Sequence, residues 1–176
     1  MKKILYLFLT VSLIFSSCSK EDEEVTPTVT PTVITGCMDN TADNYNSNAT
    51  RETSNSCNFS AEVTYFLYKS ASDAMIASGI PFVYFYDNFE NSMGTISYLY
   101  YYNSMADVPC ATTDGTLNSG IVWTGNSNTN GANFVFNIYL NDGSYFSTGN
   151  FDVNAGECKL VGFTVTKSMA EEMLNR

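Results

Sequence analysis

Residues 133–153 read NFVFNIYLNDGSYFSTGNFDV and predict two strands that pair across a tight turn. Phe134, Phe136 and Ile138 recur at every second position, which gives an extended strand one apolar face. The Asn-Asp-Gly at 141–143 readily adopts the positive φ angles that a hairpin turn requires. Residues 144–153 follow as the returning strand. The stretch therefore predicts an antiparallel β-hairpin with one face in a core.

Similar strand-like runs recur between residues 60 and 167. Val63, Tyr65 and Leu67 alternate in one of them, and residues 80–87 are nearly all apolar or aromatic, as in a central strand. Further runs cover residues 94–102, 121–124 and 157–166. About seven short strands at this spacing predict an all-β fold, an antiparallel β-sandwich over residues 60–167.

Turn signals and a capping motif complete the predicted architecture. Residues 88–92 and the Asn-Ala-Gly at 154–156 predict two further hairpins. Residues 70–79 fit either one helical turn or a loop. Ser168 and Glu171 form a capping box, which predicts a short helix over residues 168–176.

The composition excludes several classes of site. The chain has no histidine, which excludes Ser-His-Asp and Cys-His catalysis and zinc sites that use histidine. Its net charge of −10 opposes binding to nucleic acid, which depends on cationic contacts with phosphates. Two carboxylate pairs could act as acid and base: Asp142 with Asp152, and Asp87 with Glu90. Each pair lies beside a turn signal, where Asp is common. We therefore expect a non-catalytic protein without a cofactor.

Four of the five cysteines predict disulfide bonds. Cys18 lies near the N-terminus, and the others are Cys37, Cys57, Cys110 and Cys158. An even number of cysteines in an exported protein indicates disulfides, and four cysteines allow three pairings. We favour Cys37–Cys57 and Cys110–Cys158, because each pair closes within one predicted module.

Residues 36–59, GCMDNTADNYNSNATRETSNSCNF, differ in composition from the strands. They are rich in Asn, Asp, Ser and Thr, whose side chains hydrogen-bond to nearby backbone. We predict a polar, self-bonded module stapled by a disulfide. The alternative is a calcium site, because calcium takes hard oxygen ligands. Its candidate ligands are Asp39, Asp43, Asn44 and Asn46.

Residues 1–17 have the layout of a secretory signal peptide. Two lysines precede an apolar run over residues 4–15, which is shorter than the about 20 residues that span a bilayer as a helix. Two serines then precede Cys18. We predict that cleavage exposes Cys18; an ordinary signal peptide with a chance cysteine and a buried helix are the alternatives. Cleavage removes two lysines and no acid, so the formal charge changes from −10 to −12.

Residues 15–18, Phe-Ser-Ser-Cys, resemble the lipobox of bacterial lipoproteins. The resemblance implies that Cys18 carries a diacylglycerol and an N-acyl chain such as palmitate, and several chains make a stable anchor. The acidic Ser-Lys-Glu-Asp-Glu-Glu that follows resembles the export signal of Bacteroidota lipoproteins. This second resemblance implies a position on the outer face of the outer membrane. The proline-containing tether over residues 18–35 would act as a semi-stiff stalk.

Two further resemblances concern the folded part. Gly36, Cys37, Asp39 and Cys57, with the Ala-x-Asn-Tyr-Asn at 42–46, resemble a short repeat of Bacteroidota surface proteins, which implies no particular function. Residues 149–158 and the Val-Pro-Cys at 108–110 resemble transthyretin-like or carboxypeptidase-regulatory-like β-sandwiches. That resemblance implies a fold, not an activity.

Tyrosines are the candidate ligand-binding residues. Tyr98, Tyr100 and Tyr102 alternate in one predicted strand, and Tyr84 and Tyr86 alternate in another. We expect these rings to fill a core; the alternative is an exposed row that stacks on sugars. The sequence thus predicts a surface-exposed lipoprotein with a non-catalytic binding or adhesion module for an unknown extracellular protein or glycan. A glycan-binding accessory of polysaccharide uptake is the alternative.

Overall fold

The computed structural model describes residues 31–111, 113–127 and 131–175. The predicted signal peptide, Cys18 and the acidic tag lie outside these residues. The chain divides into two units, Met1–Thr32 and Val33–Arg176, and the second contains every element below. Among the residues that the structure describes, no helix has both the length and the apolar character needed to cross a membrane.

Within the described residues, seven strands and two α-helices form. The strands are β1 (Cys57–Leu67), β2 (Phe82–Asp87), β3 (Ser92–Ser97), β4 (Thr116–Gly125), β5 (Gly131–Tyr139), β6 (Tyr145–Asn154) and β7 (Cys158–Phe163). The helices are α1 (Lys69–Ala77) and α2 (Lys167–Leu174), and Met105–Asp107 forms a 3-10 turn. The predicted mostly-β fold is confirmed.

The strands form two sheets, in the orders β4-β1-β7 and β3-β2-β5-β6. The four-stranded sheet is antiparallel throughout. In the three-stranded sheet β1 pairs antiparallel with β4 and parallel with β7. The prediction of a purely antiparallel fold is therefore wrong for β7. The Asn-Ala-Gly turn at 154–156 explains the error: it joins β6 to β7 across the two sheets and does not form a hairpin.

One apolar core lies between the two sheets. It combines inward-facing residues of both sheets, because successive side chains of a strand point to opposite faces. The second half of β1 is buried on both faces, as fully buried Thr64 and Phe66 show. The members include Val63, Tyr65, Phe85, Ile138 and Phe151. The hairpin predicted at 141–143 forms between β5 and β6, and the one at 88–92 forms between β2 and β3. In β5 the alternation of Phe134, Phe136 and Ile138 predicted the face that packs into the core.

Helix α1 resolves the segment for which helix and loop both remained open. Ala71 and Met75 of this helix are fully buried against the core, so packing stabilises a helix that lacks a side-chain cap at its N-terminus. Gly79 follows with φ 66°, a left-handed conformation that glycine adopts without strain. The helix thus covers an edge of the core between β1 and β2.

The polar module at residues 36–59 is closed by the Cys37–Cys57 disulfide, as predicted, with the two Cα atoms 4.8 Å apart. Its own small core combines Cys37, Ala42, Cys57 and Phe59. Phe59 also stacks on Trp123 of β4, at 5.7 Å between centroids. The boundaries differ from the prediction: Ile34 and Thr35 belong to the module through backbone bonds to residues 50–51, and Cys57 begins β1.

The second predicted disulfide, Cys110–Cys158, is also confirmed. It attaches the long connection between β3 and β4 to the first residue of β7. In the chain-entropy description, loops of 20 and 48 residues give about 3 and about 4 kcal/mol of stabilisation respectively. One disulfide therefore closes the polar module, and the other attaches the β3–β4 connection to β7.

Candidate functional site

The outer face of the four-stranded sheet carries a cluster of aromatic rings. In β2, Val83 and Phe85 point into the core, so Tyr84 and Tyr86 lie on the opposite face. In β5, buried Ile138 likewise places Tyr139 on the outer face, where it lies opposite Tyr84 in the strand register. Antiparallel pairing therefore brings together tyrosines that are far apart in sequence.

These rings line an open groove of about 520 Å³, here called the aromatic groove. The groove is bounded by Tyr84, Tyr86, Glu90, Tyr139, Asn141, Asp142 and Gly143. Its floor is the sheet, one end is the β2–β3 turn, and the other end is the β5–β6 turn. The groove is thus built between two hairpin turns that the sequence predicts.

The rings pack edge to face. The centroids of Tyr86 and Tyr139 are 5.2 Å apart with planes at 76°, and those of Tyr139 and Tyr145 are 5.7 Å apart at 78°. Phe82 and Tyr84 show the same arrangement, at 5.3 Å and 89°. This geometry is favourable for aromatic pairs and holds the rings in place. Because neighbouring planes are nearly perpendicular, the rings form walls of a groove and not a flat platform.

Glu90 places a carboxylate at one end of the groove. The Tyr139 hydroxyl donates to both carboxylate oxygens of Glu90, at 3.1 and 3.3 Å. This hydrogen bond raises the pKa of Tyr139 above its ordinary value. Glu90 has φ 63°, which is uncommon for a residue with a side chain. The carboxylate is therefore fixed against the aromatic cluster although it lies on an exposed turn.

Asp87 fixes the turn that carries Glu90. Its carboxylate accepts from the Asn91 side chain at 2.9 Å and from the backbone N–H groups of Phe89 and Asn91, each at 2.8 Å. Hydrogen bonds from Asn91 and from the Phe89 backbone hold the pKa of Asp87 below its ordinary value. Asp87 therefore acts as a structural anion in this turn, and this role accounts for its proximity to Glu90.

The β5–β6 turn closes the other end of the groove. Asp142 Oδ1 accepts from the backbone N–H of Ser144 at 2.8 Å and from its hydroxyl at 2.6 Å. Gly143 has φ 81°, as the Asn-Asp-Gly signal requires. Asp152, which the sequence paired with Asp142, lies on β6 and accepts from the Asn133 amide at 2.9 Å. Both carboxylates thus take part in local hydrogen bonds.

The predicted tyrosine row is not one strand face. Strand β3 ends at Ser97, so Tyr98, Tyr100 and Tyr102 lie in the connection that follows, and the strand predicted over residues 94–102 is wrong beyond residue 97. Tyr98 packs against the main core, Tyr100 is exposed, and Tyr102 packs edge to face on Phe66 at 5.9 Å. These three rings therefore do not form a common binding surface.

The prediction for β2 is also corrected. Tyr84 and Tyr86 were expected in the core, yet they lie on the outer face because Val83 and Phe85 occupy the inner one. The sequence reasoning missed Tyr139, Tyr145 and the position of Glu90. The signal was present in the hairpin itself: an inward Phe134, Phe136 and Ile138 require an outward Tyr139.

The candidate calcium ligands are engaged with protein donors. The Asp39 carboxylate accepts from the backbone N–H and hydroxyl of Thr41, at 2.9 and 2.7 Å. Asn44 donates to the Ser56 carbonyl and accepts from the Asn58 N–H, both at 2.8 Å. Asp43 accepts from the Ser60 hydroxyl at 3.0 Å, and Asn46 accepts from the Asn48 N–H at 3.0 Å. These contacts favour the predicted polar, self-bonded module over the alternative of a calcium site.

Across the residues that the structure describes, no group of three or more His, Cys, Asp or Glu side chains is placed to share a metal ion.

No family model matches the chain, and no curated protein or solved structure matches it significantly.

Proposed function

We propose that this chain is a non-catalytic binding module whose ligand is a carbohydrate, bound in the aromatic groove. The observation that carries the proposal is the outward set of Tyr84, Tyr86 and Tyr139 on the four-stranded sheet, since large aromatic side chains that are not needed for the core are costly to leave in water. A sugar ring has apolar C–H faces that pack on aromatic rings, and hydroxyls that hydrogen-bond to Asn and Asp side chains. The groove offers both kinds of surface.

The proposal includes presentation on the cell surface. Cys18 would carry the lipid, and residues 18–35 would form the tether. The protein would be located on the outer face of the outer membrane. The support comes from the sequence: the apolar run, the serines before Cys18 and the acidic segment after it. The two disulfides of the folded domain agree with an oxidising compartment. A carbohydrate ligand would then reach the groove from outside the cell, as in a glycan-binding accessory of polysaccharide uptake.

We also propose that the two sheets form a transthyretin-like β-sandwich. Their apolar faces share one core, as in a sandwich. The immunoglobulin arrangement places the first and second strands in the same sheet. Here β1 and β2 lie in different sheets, which favours the transthyretin-like assignment over the immunoglobulin-like one.

A protein partner is the second candidate, favoured by a separate apolar surface. Phe89 and Val122 are 77% and 78% exposed, and both line a hollow of about 220 Å³. Exposed apolar side chains that line a common hollow are typical of protein contact sites. Adhesion through this surface would not involve the aromatic groove.

The test is a titration of the purified full chain with a panel of soluble oligosaccharides, measured by calorimetry. We expect binding that Tyr86→Ala and Tyr139→Ala weaken about 10-fold or more, because each removes a wall of the groove. Tyr45→Ala is the matched control, since Tyr45 is exposed on the polar module outside the groove. Absence of binding to every glycan, or equal losses in all three variants, would contradict the proposal.

Protease treatment of intact cells tests the location separately. A surface-exposed domain should be cleaved before the outer membrane is broken. The Cys18→Ala variant has no thiol to acylate, so it should be missing from the outer-membrane fraction. Protection of the wild-type domain until the membrane is opened would contradict surface presentation and leave the groove's ligand as a separate question.

A further inference from the structure

The aromatic groove combines ring faces with negative charge. Glu90 lies at one end and Asp142 at the other, and the residues that line the groove include neither lysine nor arginine. An aromatic ring carries negative electrostatic potential on its faces, so rings and carboxylates attract the same kind of ligand. The charge of the groove therefore has a chemical complement, which is a cation.

The spacing of the rings suits a small cation. A cation–π contact forms within about 6 Å of a ring centroid. The centroids of Tyr86 and Tyr139, which both line the groove, are 5.2 Å apart, with planes close to perpendicular. A single ammonium group can therefore lie within reach of two neighbouring rings at once. A flat platform would offer one face only, and would suit a neutral sugar as well as a charged one.

Glu90 is held where it can pair with that ammonium group. Its carboxylate accepts from the Tyr139 hydroxyl, so the negative charge lies at the rim of the same ring that forms the wall. Asp87 fixes the turn beneath it through three hydrogen bonds. The charge is thus preorganised before the ligand arrives, which lowers the cost of ordering it upon binding.

The whole chain has a charge that would attract a polycation. Its formal net charge is −10, and an excess of one sign raises the local concentration of oppositely charged ligands. The single cation–π contact seen among the described residues, Lys69 over Tyr101 at 5.5 Å, does not involve the groove. The rings of the groove are therefore not occupied by that lysine.

We propose that the groove binds a protonated primary amine, and that its ligand is an oligosaccharide of amino sugars with free amino groups. The proposal rests on the carbohydrate-binding function above and names the class of carbohydrate. The sugar rings would pack along the tyrosine walls while one ammonium group lies between two rings and near Glu90. Neutral glycans of the same backbone would lack the charged contact and would bind more weakly.

The test uses two probes that differ only in charge. The full chain is titrated by calorimetry, at low ionic strength and slightly acidic pH, with a glucosamine oligomer and with the N-acetylglucosamine oligomer of equal length. We expect the glucosamine oligomer to bind about 10-fold more tightly, and added salt to reduce that difference because screening weakens charge pairing. Equal affinity for the two oligomers would overturn the proposal.

Matched variants identify the groups responsible. Glu90→Gln keeps the shape and an acceptor for Tyr139 but removes the charge, so it should lose most of the preference for the glucosamine oligomer and keep the affinity for the acetylated one. Glu62→Gln is the matched control, because it removes one charge from the other sheet. It should change neither the preference for the glucosamine oligomer nor the affinity for the acetylated one. Tyr86→Phe should preserve the preference, whereas Tyr86→Leu should abolish it, since leucine lacks a ring face. Thermal unfolding of each variant checks that it remains folded.

The outcomes separate this proposal from the function on which it rests. If neutral and acetylated glycans bind through Tyr86 as tightly as the glucosamine oligomer, the carbohydrate function stands and the amine proposal fails. If no glycan binds, both fail. If a lysine oligomer binds as tightly as the glucosamine oligomer and depends equally on Glu90, the groove recognises cationic peptides, and the assignment to amino sugars is overturned.

Discussion

At the scale of single residues, the packing of the core depends on a glycine, Gly149, which has no side chain. Gly149 in β6 lies opposite Phe136 in the β5–β6 register. A Cβ atom at this position would come within 2.6 Å of Phe136 Cε1, which is closer than real contacts allow. The glycine therefore lets the Phe136 ring lie flat against the neighbouring strand, where it contacts Tyr65 and Phe85 at centroid distances of 5.3 and 6.0 Å.

Gly149→Ala should destabilise the domain by about 1–3 kcal/mol, because the added methyl group forces the Phe136 ring to move within a packed core. The measurement is the free energy of unfolding in denaturant. Gly120→Ala on β4 is the matched control, since a Cβ atom there would have nothing within 4 Å. An equal effect of the two substitutions would contradict this account of Gly149.

Asp87 gives a pH dependence whose sign follows from its lowered pKa. A carboxyl group with a lowered pKa in the folded state stabilises the fold above its unfolded-state pKa, which is about 3.9. That contribution is lost as the pH falls through the lower, folded-state value. Asn91→Ala removes the largest cause, so the pKa of Asp87 should rise towards its ordinary value. Carboxyl NMR titration measures this pKa. Asn103→Ala is the control, because Asn103 is an exposed asparagine in the connection that follows β3, outside this turn. An unchanged Asp87 titration in the Asn91 variant would contradict the assignment.

The sequence could predict the position of the turn that carries Glu90, but not the contacts that Glu90 makes. It indicated a turn at 88–92 from composition, but the conformation of Glu90 depends on Asp87 accepting two backbone N–H groups. The contact between Glu90 and Tyr139 spans 49 positions and follows from the pairing of β2 with β5. No local pattern contains that pairing, so the carboxylate end of the groove was not predictable from residue types.

At the scale of elements, β3 shows how alternation can mislead. Residues 94–102 alternate throughout, yet the strand stops at Ser97. The Ser97 hydroxyl donates to the Pro81 carbonyl at 3.2 Å and accepts from the Leu99 N–H at 3.3 Å, which turns the chain. Side-chain bonds of this kind compete with ladder hydrogen bonds. The tyrosines that follow lie in an irregular connection. Their two-residue spacing therefore does not place them on one face of a sheet.

Helix α2 begins two residues earlier than its capping motif suggested. Thr166 is the N-cap, and its hydroxyl accepts from the Met169 N–H at 3.3 Å. Ser168, which was predicted to be the cap, lies inside the helix and contacts the Thr166 hydroxyl at 3.1 Å. Two hydroxyl residues two positions apart, Thr166 and Ser168, leave the N-cap ambiguous in the sequence. Met169, which packs against the core, selects the register.

Thr166→Ala should therefore destabilise α2 by about 1 kcal/mol, because it leaves one N–H of the first turn without its side-chain acceptor. Ser168→Ala should cost less than about 0.5 kcal/mol, as is usual for surface substitutions. Hydrogen exchange of the α2 amides measures both effects. A larger loss of protection in the Ser168 variant would restore the original prediction.

At the scale of the whole molecule, Tyr65 joins the two sheets. It lies on β1 and is 1% exposed, and its ring contacts Phe85, Phe136 and Phe151 of the opposite sheet at 5.2 to 6.2 Å. Its hydroxyl lies 3.9 Å from the Met93 sulfur, and burial raises the pKa of Tyr65. The aromatic core is therefore continuous between the sheets, and the two sheets depend on the same residue.

Tyr65→Ala should cost about 3–5 kcal/mol, a large share of the stability of a typical domain. Amide protection should fall in both sheets, because both share the main core that Tyr65 fills. Tyr65→Phe keeps the ring and should cost about 1 kcal/mol or less, since the bond to sulfur is weak. Loss of protection confined to the three-stranded sheet would show that the sheets unfold separately.

The overall architecture was predictable because it depends on local patterns, whereas strand order was not. Alternating runs and turn signals predicted most of the strands and the hairpins at 88–92 and 141–143. The parallel pairing of β1 with β7 joins residues that are about 96 positions apart, such as Glu62 and Cys158. Long-range pairing of this kind is determined by the fit of apolar faces in three dimensions. The aromatic groove lies where the two predicted hairpins meet, on the β2–β5 pair, so its turns were predictable but its floor was not.

The central position of β1 has a mechanical consequence. This strand is hydrogen-bonded to β4 over residues 57–66 and to β7 over residues 62–67, and the chain that leads towards the N-terminus enters it at Cys57. If flowing liquid drags on a ligand while lipid holds Cys18, the pull runs along β1. The strand must then slide past both neighbours at once, so many hydrogen bonds share the load in shear. An edge strand would peel away one bond at a time. The Cys37–Cys57 disulfide closes the 20-residue loop ahead of this strand, so that this loop cannot extend under tension while the bond is intact.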